Sequence, residues 1–213
     1  MKTAKLFILL LISALIANAQ TNDKYTTAML KGVTMIDSAK NSEDYTLAAN
    51  YFERIADKEK KQWLPQYYAG FCNMHIAMDG NQNSEAQDVL YDKAMAYTDK
   101  ADLISPDNSE IYVLKGYIVF MKMSVAGQSR AMTMIPRSKQ LLEKAITLDP
   151  ENPRAYLIQG LNTFYTPEMF GGGKGKSKAT LMIAAIKFAN TKPNGIEPAW
   201  GNGLCKSLLK RTE

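Results

Sequence analysis

The feature that most restricts this chain is a spacing of glycines. Gly32, Gly70, Gly116, Gly160 and Gly203 stand 38, 46, 44 and 43 residues apart, by subtraction of their positions (70−32, 116−70, 160−116, 203−160). Each lies inside an apolar stretch such as YYAGF, YVLKGY or YLIQGL. A small residue at a near-fixed period of this length marks a repeat whose units stack one on the next. The clearest unit runs from Ser138 to Gly160. Leu141, Leu142, Ala145, Ile146 and Leu148 recur at three- and four-residue steps, which places an apolar stripe on one side of a helix. Asp149-Pro150 ends it, because proline lacks the N–H and restricts its predecessor. Asn152 then occupies an N-cap position, with Pro153 at the first helical residue.

KAITLDPEN at 144–152 aligns without a gap with KADLISPDN at 100–108, and KFANTKPN at 187–194 is a looser copy. A helical hairpin of this kind leaves one greasy face bare and needs neighbours like itself. The same pattern predicts helices at Tyr25–Ala39, Tyr45–Ala56, Trp63–Met78, Glu85–Ile104, Ile111–Met123, Arg154–Tyr165, Lys178–Ala189 and Pro198–Lys210. Ala126–Arg137 reads as an inserted connection ending at Pro136, and Gly171–Ser177 as a flexible loop.

On Tyr156…Gly160, Leu142…Ala145 and Asp149-Pro150-x-Asn152-Pro153, the chain resembles the tetratricopeptide repeat (TPR) family, here stretched by about ten residues per repeat beyond the family's period. The resemblance implies an all-α, TPR-like helical-hairpin solenoid of about four hairpins plus a C-terminal capping helix. In such arrays the first helix of each pair lines a concave groove. Carried over by position, the groove falls on Tyr67, Phe71, His75, Tyr117, Met121, Phe164 and Tyr165, with Met74, Val113, Phe120, Leu157 and Leu161 beside them. Two readings of that set stay open. It is an open surface suited to an apolar partner, or it is packed core.

Met1–Ala19 reads as a secretory signal: Lys2 and Lys5, an apolar run over Leu6–Ala17, and an Ala17-Asn18-Ala19 cleavage site. The expected mature domain is 20–213, exported and periplasmic, with no membrane span after the signal is removed. The formal charge is +5 for the whole sequence, and its lysines and arginines are dispersed, which gives nucleic-acid binding no support. Cys72 and Cys205 occupy equivalent places in distant repeats and are expected as two free, buried thiols.

The chain offers little for catalysis. Gly171–Ser177 falls one residue short of a phosphate-binding loop, with Phe170 where the first glycine belongs. His75 is the lone histidine; Cys72 is one helical turn away, but two ligands do not make a metal site. Met121, Met123, Met132 and Met134 form two M-x-M pairs, a copper-like set on paper and core filling by helical geometry. The expectation is therefore no enzyme, no metal and no cofactor. The first reading of function is a scaffold that holds a protein or peptide partner in the cell envelope. The alternative is a small hydrophobic-ligand-binding module of a solute uptake system, which a cavity closed by Ala126–Arg137 and Thr166–Ser177 would favour.

Overall fold

The computed structural model describes residues 23–213 except 193. The signal and cleavage site expected at 1–19 lie outside the described residues. Among the described residues there are helices and turns and no strand. Helix α1 is seen from residue 23 to 38. It is followed by α2 (Ser42–Lys58), α3 (Trp63–Met78), α4 (Ser84–Ile104), α5 (Ser109–Ser124), α6 (Gly127–Leu148), α7 (Pro153–Tyr165), a 3-10 turn (Glu168–Phe170), α8 (Lys174–Asn190) and α9 (Asn202–Lys210).

Asparagine starts four of these helices. The side chains of Asn41, Asn83, Asn108 and Asn152 accept from the backbone N–H of Asp44, Ala86, Glu110 and Arg154. Each satisfies a donor that the first turn leaves without a helical partner. Asn152 and Pro153 stand where the sequence places them, as N-cap and first residue of α7.

The helices pack in chain order. α3 lies on α4, α5 on α6, α7 on α8, and α3, α5 and α7 also touch in succession. The periodic glycines explain the closeness of the pairs. A Cβ on Gly70 would lie 2.6 Å from Thr98 Oγ1 and 2.9 Å from the Ala94 carbonyl of α4. On Gly116 it would meet Leu142 at 2.9 Å, on Gly160 Leu181 at 2.6 Å, and on Gly32 the Phe52 ring. Gly203 differs: it faces open space in the first turn of α9.

Polar groups tie one hairpin to the next. Ser109 Oγ donates to the Ala145 carbonyl (2.8 Å), and Asn152 Nδ2 donates to Ser109 Oγ (3.0 Å) and Glu110 Oε1 (2.7 Å). Arg154 forks onto Glu110 with Nε–Oε2 at 2.7 Å and Nη2–Oε1 at 2.6 Å. Ser138 Oγ donates to the Gly116 carbonyl and accepts from Asn162 Nδ2, both at 2.7 Å, which joins α5, α6 and α7.

Three expectations require correction. Ala126–Arg137 is not a connection: α6 starts at Gly127 and runs through Pro136. Proline there removes one rung, the donor to the Met132 carbonyl, while neighbouring Arg, Ala and Met residues sustain the helix on both sides. α8 begins at Lys174, four residues before Lys178, with Gly173 as its N-cap. The stretch Pro198–Gly201 is not helical; α9 starts at Asn202. Residues 194–201 instead form a strap. Gly201 holds a φ of +108°, and a Cβ there would lie 2.8 Å from Leu157 and 2.9 Å from Phe188, so only glycine passes.

Candidate functional site

The first half of α6 and the turn after α7 form the two walls of an apolar cleft. From 127 to 137 no described side chain of α6 is buried, whereas Ser138, Leu142 and Ala145 in its second half are fully enclosed. The first half therefore overhangs the stack, held by Arg130, whose two terminal nitrogens meet the Asp88 carboxylate of α4 at 2.6 Å each. That fork holds the Asp88 carboxyl below its usual range. Across from it, the Thr166 N–H closes α7 on the Asn162 carbonyl, and Pro167–Phe170 turns outward.

Between them lies a hollow of about 530 Å³, bordered by Met123, Met132, Ile135, Pro136, Tyr165 and Phe170, with Thr166 its one polar side chain apart from the Tyr165 hydroxyl. Met132 is 78%, Phe170 58% and Tyr165 52% exposed, and the adjacent Met169 83%. Large apolar side chains gathered at one place on a surface mark a binding region, because leaving them in water is unfavourable. Two other hollows of similar size are lined by mixed charges or polar groups. One takes Lys93, Asn50 and Asn73; the other takes Lys24, Arg54, Asp57, Lys58 and Glu59. The first also has Ile76, Val89 and Leu90 in its wall beside those polar groups, and the wall of the second is mostly charged or phenolic.

The groove set carried over from the repeat pattern is placed differently. Tyr67, Phe71, Tyr117 and Phe164 are buried, so they do not form an open surface. The strap supplies the cover. Trp200 Nε1 donates to Tyr67 Oη at 2.8 Å, and its ring centre lies 5.3 Å from Phe71 and 6.0 Å from Tyr117. Tyr68 Oη donates to the Ile196 carbonyl at 2.9 Å. Phe164 is covered by Arg211, 4.8 Å from its ring centre, and by Lys174 at 5.8 Å. His75 sits between Tyr45, stacked at 4.6 Å, and Phe71 at 4.4 Å; enclosure brings its imidazole down to about 4. Met121 is partly buried. Tyr165 alone of the set reaches the cleft, and its hydroxyl accepts from Arg211 Nη1 at 2.9 Å.

Both cysteines are free and buried, and burial pushes both thiols up, away from the reactive thiolate. Among the described residues no group of three or more His, Cys, Asp or Glu side chains converges as a metal site would require. The glycine-lysine string follows α7 and the 3-10 turn, not a strand, so the setting of a phosphate loop is missing.

No protein-family model and no curated protein matches the sequence. Among solved structures, the fold is similar to the HusA haemophore from Porphyromonas gingivalis, with a TM-score of 0.80 and 32% sequence identity over 89% of this chain and 92% of that one. The chain belongs to the HusA haemophore family. This overturns the scaffold reading. A haemophore carries a small ligand, and the HusA likeness covers nearly the whole of both chains, so it is not confined to a shared repeat. The small-ligand alternative is the one it favours. The cleft of this HusA-family protein lies between Ala126–Arg137 and Thr166–Ser177, the two segments whose closing of a cavity would favour that alternative.

Sequence reasoning passed over Met132, Ile135 and Phe170 as binding residues. A signal was there: Met169-Phe170 sits between Pro167 and three glycines, a turn context in which large apolar side chains have no core to enter.

Proposed function

We propose that this protein is a non-catalytic haem carrier of the cell envelope or exterior, which holds the porphyrin between the first half of α6 and the Thr166–Phe170 turn. One observation carries the reading: a member of the HusA haemophore family exposes Met132, Tyr165 and Phe170 around an apolar hollow of about 530 Å³. That volume lies within the range of small-molecule sites, ~300–1,000 Å³. A porphyrin is flat and apolar on both faces, so contact with methionine, isoleucine and aromatic walls removes unfavourable surface from water. His75 is not among the wall residues, and the described wall offers the Tyr165 and Thr166 hydroxyls and methionine thioethers towards an iron. Apolar contact is therefore the main source of affinity. Export is supported by the signal-like 1–19 segment and the haemophore relative, and no helix among the described residues is long and apolar enough to cross a membrane. The stack itself is read as TPR-like, supported by the same glycine-to-partner contact in four successive hairpins. Experimental coordinates in which those hairpins do not superpose on one another would remove that reading.

The test is a haemin titration followed by the Soret band, with the double variant Met132→Ser, Phe170→Ser alongside. Both side chains are exposed, so the fold should persist by circular dichroism. Losing two apolar contacts to the ligand of ~1–2 kcal/mol each weakens binding by about 30- to 900-fold. Absence of saturable binding by the unaltered protein, or an unchanged affinity in the double variant, refutes the proposal.

A further inference from the structure

The cleft does not stop at Phe170. Beyond a ridge made by Ile135, Thr166 and Phe170 lies a second hollow of about 520 Å³, and the two share those three residues. Their walls differ in character. The first contains no charged side chain among its lining residues. The second contains Lys139, Gln159, Thr163 and Thr180, and no carboxylate. A further ammonium stands at its edge: Lys176 Nζ is 3.5 Å from the carbonyl of Gly171, a residue that lines the hollow. Lys139 has the Glu143 carboxylate one helical turn away at 3.7 Å, with both side chains more than half exposed. Such a surface pair contributes little and is readily exchanged for another anion.

We propose that the two hollows are one amphipathic site, and that the second takes the carboxylate-bearing edge of the ligand against Lys139 and Lys176. The inference rests on the haem reading above and assigns the ligand's parts: the apolar ring to the α6 side of the ridge, the anionic edge to the lysine side. Haem has this division, with its carboxylates on one edge of an otherwise apolar disc. The chemistry selected is a flat apolar body with a carboxylate margin, so an uncharged disc of the same shape is bound less well. Each partly exposed ammonium contributes about fivefold at moderate salt, and the contribution shrinks as salt rises.

The probes are haemin and haemin dimethyl ester, which share a ring and differ in edge charge, titrated in the same detergent. The unaltered protein is expected to bind the diacid about 10- to 25-fold more tightly. In the double variant Lys139→Met, Lys176→Met the ratio falls towards one while the ester's affinity stays put. Arg211→Gln, which acts beside Tyr165 on the apolar side, keeps the discrimination. Equal binding of the two probes by the unaltered protein, a ratio that survives the double lysine change, or a ratio lost through Arg211→Gln each overturns the assignment while leaving a haem site in place. Failure of both probes to bind instead removes the haem reading, and this inference with it.

Discussion

Replacing His75 by phenylalanine tests the packing of the inner face. The imidazole lies between the Tyr45 and Phe71 rings, and its enclosure lowers it from 6.5 to about 4. Below 6.5 the unfolded chain takes up a proton that the folded chain refuses until about pH 4. Stability therefore falls as pH drops from 6.5 towards 4 and is flat above that window. At ~1.4 kcal/mol per pH unit, the gap corresponds to about 3 kcal/mol over the full window. Phenylalanine keeps an aromatic ring in the sandwich and cannot be protonated. Urea unfolding followed by circular dichroism at pH 7.5 and 4.5 measures the effect. Carboxylates titrate in both proteins, so the quantity of interest is the difference between them. The unaltered protein should lose about 2–3 kcal/mol more than His75→Phe between those two pH values. An equal loss in both would mean that the imidazole is hydrated in the native state and that the aromatic sandwich is not closed.

Two other changes probe the stack. Glu110→Ala leaves the Arg154 guanidinium without its fork; their side chains are 15% and 8% exposed. An unpaired buried charge costs about 3–5 kcal/mol, read as a lowered urea midpoint, and a loss below 1 kcal/mol would show that water reaches the pair. Gly70→Ala forces a Cβ to within 2.9 Å of the Ala94 carbonyl, whereas Gly203→Ala enters open space. The first should destabilise by ~1–3 kcal/mol despite alanine's better helix propensity, and the second should stabilise by a few tenths to ~1 kcal/mol; matching signs in the two urea midpoints would refute the close-approach account.

The helix boundaries show how far local rules reach. Trp63–Met78 matches α3 from end to end, because an unbroken apolar run bounded by a charged linker and an Asn/Gly loop leaves little choice. α6 shows where they stop: proline punctuates a sequence, yet in a helix supported by neighbours it removes a single hydrogen bond. The aromatic set on α3, α5 and α7 was legible as a stripe. Whether it was open or covered depended on residues about 130 positions away, since Trp200 and Ile196 reach Tyr67 and Tyr68.

The candidate site divides in the same way. The amino-acid order alone determined that the chain is helical, where several of its helices start and stop, and that a glycine returns at a near-fixed period; these follow from periodicity, capping and side-chain size, which act over a few residues. Tertiary structure alone decided that the strap from 194 to 201 seals the inner face and that the first half of α6 stands off from the body opposite Phe170. Those outcomes turn on which apolar surfaces meet and which are left over, a competition among segments distant in sequence that no local pattern encodes.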